Sequence, residues 1–146
     1  MLLKIVLRYL IMFYLMTVLS VSGHELFHYA AAKLLRFSKV FLCIGFENVC
    51  GIRTKHFFLS PLAFTGFVEY EESGQKAYPV HHLFLFYFSG ILFNLILTAA
   101  AVFLHNYILL FINIIIIAVS LLPFGGAQSD LYHFRQLCSK ERNKSL

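Results

Sequence analysis

Between Ala77 and Ser129 the chain carries no Asp, Glu, Lys or Arg. A charge-free run of that length exceeds what a strand or a buried helix of a soluble domain requires, and at about 20 residues per crossing it holds two membrane spans. The remaining composition agrees, with 60% of residues hydrophobic, 13% charged, and 17 Phe and 8 Tyr among 146 residues. So small a globule could not coat its own surface with so few polar side chains, and a membrane protein is expected. Disorder, collagen-like structure and coiled coils are excluded by the apolar content and by the lack of heptads or glycine periodicity. The net charge of +5 comes from Lys and Arg scattered beside the apolar segments. That placement suits anionic lipid headgroups and not a nucleic-acid partner. Cys43, Cys50 and Cys138 are too few for a disulfide scaffold and are read as buried thiols.

Three spans are expected, at about residues 5–35, 83–104 and 107–123. The first is broken by Arg8, Glu25 and Lys33, of which Arg8 and Lys33 can snorkel from the two ends. Lys4, Arg8 and the small residues Ser20 and Ser22 also imitate a cleavable signal peptide, although apolar character continues past that point. From 37 to 79, short aromatic and β-branched pieces (KVFLCIGFENV, KHFFLS, FTGFVEY) alternate with turn residues, predicting small strands at or dipping into the interface. His105 and Asn106 leave room only for a tight turn between antiparallel helices. After Pro123, GGAQSDLYHF reads as a broken helix end, and residues 135–146 as a polar, basic tail. The expected fold is therefore an all-α polytopic membrane protein, one domain over residues 1–146, with a three-helix core and a small membrane-associated β segment between helices 1 and 2. Most Lys and Arg then fall on the side of the 37–79 segment and the tail, which the positive-inside rule makes cytoplasmic.

One span carries chemistry. His24-Glu25-Leu26-Phe27-His28 is an HExxH spacing, in which both imidazoles project from one helix face and can share a metal. Glu25, beside that metal, is placed to take a proton from an activated water. The pattern is short, but its setting sharpens it, because an unpaired acid in lipid costs about 2.5–3.5 kcal/mol. A catalytic zinc wants a third protein ligand, and Asp130 is the acid that the topology brings to the same side, with His133 as a substitute. His81 and His82 read as interfacial residues at a span entrance. The bland alternatives are a hydrogen-bonded pair of histidines, an interfacial or capping Asp130, and an Asn94 that serves only as interhelical glue.

Three pieces of the chain resemble the site-2 protease family of intramembrane zinc metalloproteases. HELFHYAAA (24–32) is similar to the family's HExxH helix, and FYFSGILFN (86–94) to its second-span motif, where Gly90 is followed four residues later by Asn94. SLLPFGGAQSDLYHF (120–134) resembles the third-span motif that ends in the aspartate ligand, and LSPLAFTGFVEYEE (59–72) the membrane-associated strand segment. The chain departs from the family pattern at Ile91, Ser120 and Leu131, where proline, asparagine and glycine are usual, and in the spacing from Pro123 to Asp130.

The resemblance implies hydrolysis of a peptide bond in or near the transmembrane segment of a membrane protein or small membrane peptide. It implies a multi-pass protein of the cell membrane with its active site toward the cytoplasm. Zn²⁺ is the expected cofactor, held by His24, His28 and Asp130, with Glu25 moving protons and Asn94 donating a hydrogen bond to substrate backbone or tetrahedral intermediate. The stretch 64–70 would offer a strand edge to the unwound substrate, and Gly90, Gly125 and Gly126 would ease close helix approach. A metal-binding membrane carrier and a catalytically inactive scaffold are the competing readings; a carrier would ordinarily need more helices around a midplane site.

Overall fold

The computed structural model describes residues 2–71, 78–122 and 129–144. The elements run α1 (Leu2–Leu34), β1 (Ser38–Ile44), β2 (Ile52–Arg53), β3 (Phe57–Leu59), β4 (Gly66–Glu71), α2 (Val80–Phe103), α3 (Tyr107–Leu121) and α4 (Asp130–Lys144). The molecule is mostly helical, but the segment between α1 and α2 is a true four-stranded sheet in the order β2-β3-β1-β4. The small β segment expected between helices 1 and 2 is present as this sheet. The aromatic, β-branched pieces are the cause, since they pack best on a pleated surface. β1 is central, parallel to β3 and antiparallel to β4, whose outer edge pairs with no further strand among the described residues.

Two helices, α1 and α2, are long and apolar enough to cross a membrane. The third, α3, is equally apolar but has 15 residues. Each helix starts or stops for a local reason. α1 ends in a Schellman-type cap, in which Phe37 N–H bonds to Ala32 C=O at 2.9 Å and Arg36 N–H to Lys33 C=O at 3.1 Å, with Arg36 left-handed at φ 59°. α2 ends the same way through His105, at φ 52°. Asn106 then caps α3 by accepting from Leu109 N–H at 3.1 Å, so the tight antiparallel turn expected at His105 and Asn106 is present. The expected polar tail is instead helical. Ser129 accepts from Tyr132 N–H at 3.2 Å and starts α4 at Asp130, whose Phe134 and Leu137 pack against the core. Pro123, Gly125 and Gly126, singled out in the sequence, lie outside the described residues.

An aromatic knot ties sheet to helices. Phe37 stacks on Tyr78 at 4.1 Å between centroids and meets Tyr70 at 4.7 Å and Phe86 at 5.5 Å, while Tyr70 meets Phe86 edge-on at 5.3 Å. Such pairs add about 0.5–1.5 kcal/mol each beyond area burial. The knot fixes Phe86 on α2, and with it the backbone that faces His28. The β3–β4 connection is pinned elsewhere on α1, where the Tyr14 hydroxyl donates to Pro61 C=O and the Tyr14 ring meets Phe64. Of the cysteines, Cys43 is buried in β1, where burial first and the nearby acids next push its thiol above the ordinary range. Cys50 is exposed in the loop before β2, correcting the expectation of a buried thiol there.

Candidate metal centre

The C-terminal part of α1 is the only stretch of that helix with buried residues, and they are Ser20, Gly23, His24, Glu25, His28 and Ala32. Their spacing at three and four residues makes one stripe, which α2, α3 and the sheet cover. His24 and His28, one turn apart, bring their Nε2 atoms to 3.0 Å. Asp130, the first residue of α4, reaches back to both, with one carboxylate oxygen 3.3 Å from His24 Nε2 and the other 3.5 Å from His28 Nε2. One ligand atom from each of the three lies within 4.8 Å of the others, and among the described residues this is the group of donors that could share a metal ion.

Two imidazoles and a carboxylate are the nitrogen and oxygen donors of a catalytic zinc site, which keeps a fourth position open. The surroundings fit that use. A Cβ at Gly90 would sit 2.6 Å from His24 Nε2 and still closer to His28 Nε2, so the glycine leaves clear the space into which both donor atoms point. Each imidazole is also held from behind. His28 Nδ1 donates to Phe86 C=O at 2.7 Å, which leaves Nε2 with a free lone pair, and His24 Nδ1 is hydrogen-bonded to Asn94 Oδ1. Burial alone would raise the Asp130 carboxyl, but the two imidazoles that face it outweigh burial and hold it below the ordinary carboxylate range.

The donors open onto a cavity of about 740 Å³, lined among others by Glu25, Thr65, Gly66, Glu69, Tyr87, Ser120 and His133. Glu25 is buried and turned toward β4, where a Cβ at Gly66 would lie 2.5 Å from its Cγ. The carboxylate therefore stands in the cavity wall, beside the donors and under the first residue of the strand. His133, the expected substitute ligand, lines the same cavity but lies parallel to the Tyr87 ring at 6.3 Å and is outside the converging trio. Ser120 is buried in that wall, and Ile91 is buried in an unbroken α2.

Asn94 occupies a different place from the one expected of a substrate-facing donor. It is fully buried behind His24, and its amide nitrogen donates to Asn113 Oδ1 at 2.7 Å. Asn113, also fully buried, was not singled out from the sequence. The signal available was a second asparagine inside an apolar helix, which in lipid needs a partner as much as the first.

The family model described as Peptidase family M50, the site-2 protease family, matches residues 12–111. The match takes in His24, Glu25, His28, Gly90 and Asn94 and stops before α4, so Asp130 joins the site on geometry alone. No curated protein and no solved structure matches the chain.

Proposed function

Since the chain belongs to peptidase family M50, we propose that it is a zinc-dependent intramembrane endopeptidase acting on a peptide bond in or near a substrate's transmembrane segment. The observation that carries this reading is the convergence of His24, His28 and Asp130 from two distant elements on a space kept open by Gly90, with Glu25 at its edge. His24 and His28, through Nε2, and Asp130, through its carboxylate, would hold the ion. When bound, Zn²⁺ would supply Lewis acidity, polarising the scissile carbonyl and making a water acidic enough to attack near neutral pH. Glu25 takes the proton from that water and returns it to the amine leaving group, so the proton balance closes on one side chain. Asn94 and the Phe86 carbonyl keep the two imidazoles oriented.

The substrate must unwind before its peptide group can reach the site, because a helix hides that group in its own hydrogen bonds. Among the described residues the outer edge of β4 pairs with no other strand, and Thr65 to Glu69 line the cavity. An extended segment laid on that edge would be held by main-chain hydrogen bonds without strict demands on its side chains. The membrane placement belongs to the same proposal. Tyr14, which anchors the β3–β4 connection, is ten residues before His24, or about 15 Å along the helix. With α1 crossing the bilayer, that connection reaches well into it and takes the edge of β4 to the level of the substrate. α3 covers roughly 22 Å, so a third crossing needs residues beyond Leu121 or local thinning of the bilayer. The positive-inside rule puts the site toward the cytoplasm of a multi-pass cell-membrane protein.

The test is co-expression with a small panel of single-span membrane peptides, followed by metal analysis of the purified enzyme. Wild type is expected to cleave at least one peptide and to carry one zinc per chain. Glu25→Gln should keep the zinc and lose about 10²–10⁴-fold in rate. Full cleavage by Glu25→Gln would remove the hydrolytic mechanism.

A further inference from the structure

Three fully buried polar side chains, Ser20 on α1, Asn94 on α2 and Asn113 on α3, form one network behind His24. Asn113 Nδ2 donates to Leu109 C=O at 2.8 Å and to Ser20 Oγ at 3.1 Å. Asn113 Oδ1 accepts from Asn94 Nδ2 at 2.7 Å, and Asn94 Oδ1 meets His24 Nδ1. Asn94 Nδ2 also points to Ser20 C=O at 3.5 Å.

The order of donors and acceptors in this network admits one direction only. A helix carbonyl can accept and never donate, so Leu109 C=O fixes which end of the Asn113 amide faces it. That choice turns Asn113 Oδ1 toward Asn94, which turns the NH₂ of Asn94 away from His24 and its oxygen toward the imidazole. Nδ1 of His24 must then carry the hydrogen, and Nε2 is left with the lone pair a metal needs. Were Asn94 reversed, its NH₂ would donate to Nδ1 and the ring hydrogen would move to Nε2, closing the ligand position. His28 reaches the same state in one step, because its Nδ1 faces the Phe86 carbonyl directly.

We propose that Asn113 is a positioning residue for the metal centre, setting the metal-binding tautomer of His24 through Asn94 from the backbone of α3. This rests on the metal-centre reading above and adds a function for α3, none of whose described residues is among the three converging ligands.

The experiment uses the full-length protein in detergent micelles with ¹⁵N-labelled histidine, stripped of metal and held at a pH where the imidazoles are neutral, alongside zinc titrations. Wild type is expected to show His24 with its hydrogen on Nδ1; a hydrogen on Nε2 overturns the proposal without any variant. Asn113→Leu, which removes the acceptor for Asn94, is expected to give mixed His24 tautomers and to weaken zinc binding about 10- to 100-fold. Asn113→Asp in its neutral form can still donate to Leu109 C=O and accept from Asn94, and should restore zinc affinity to within a few-fold of wild type.

If Asn113→Leu lowers only the melting temperature and leaves tautomer and zinc affinity unchanged, the residue is interhelical glue and the inference fails while the hydrolase stands. A wild type that binds zinc tightly but cleaves no peptide would sink the hydrolase and leave the relay intact. A wild type that takes up no zinc overturns the metal centre, and the tautomer measurement then decides the relay alone.

Discussion

The two ends of α1 follow opposite rules. From Leu2 to Leu19 no side chain is fully buried and most of the large apolar ones, Leu3, Leu7, Leu10 and Leu15 among them, are exposed, whereas the buried residues near the other end are Ser20, Gly23, His24, Glu25, His28 and Ala32. In water such a helix would be inside out. In lipid, whose tails are as apolar as leucine, burial against protein is worth little to an apolar side chain and several kcal/mol to a polar one left without partners. The buried stripe of α1 is therefore polar and small, and the stripe that carries the chemistry is also the one through which α1 meets its neighbours.

Substitutions that break this contrast should rank by depth in the polar stripe. The largest losses are expected for His24→Ala and Asp130→Ala, each of which leaves two donors where a catalytic zinc wants three. Both should abolish stoichiometric zinc and all cleavage, as read by metal analysis and peptide processing; a His24→Ala protein with one tightly held zinc would move the site elsewhere. Next comes Gly90→Ala, whose new methyl group would meet both Nε2 atoms. Zinc affinity should fall at least about 10-fold, in the range of a disturbed ligand shell, with α2 still folded by circular dichroism. Gly66→Ala should act on Glu25 and on the β1–β4 pairing instead, lowering turnover with zinc retained, because its Cβ would meet Glu25 Cγ and the Cys43 carbonyl and not the ligands. The smallest change is expected at the other end of the helix. Leu7→Ala, more than half exposed, should stay within about 0.5 kcal/mol in stability and leave cleavage as it was. An effect there equal to that of Gly90→Ala would mean that the exposed half is also an interface.

Much of this was legible in the sequence because lipid makes polar residues conspicuous. His24, Glu25 and His28 stood out by spacing, Asp130 by being an acid beyond a charge-free run, and the strands between α1 and α2 by their β-branched and aromatic pieces. What could not be read was mostly geometry set by tertiary partners. The cap at Arg36 uses a residue that ordinarily avoids a left-handed backbone, so no glycine or asparagine announced it. α4 was hidden by its polarity, because the apolar face formed by Phe134 and Leu137 is narrow and has meaning only against α2 and the sheet. Asn94 looked like a donor for substrate, and only the position of Asn113 shows that its NH₂ is already committed. Periodicity cannot reveal such a commitment, since it depends on which two helices happen to face each other.

The central claim is that one ion is held by the two imidazoles of α1 and the carboxylate that opens α4. X-ray absorption at the zinc edge, on the purified full-length protein, tests it most directly. The account predicts a first shell of nitrogen and oxygen at about 2.0–2.2 Å with imidazole scattering from two rings, lost in Asp130→Ala. A shell containing sulfur, or one with no imidazole signature and no response to Asp130→Ala, would contradict it.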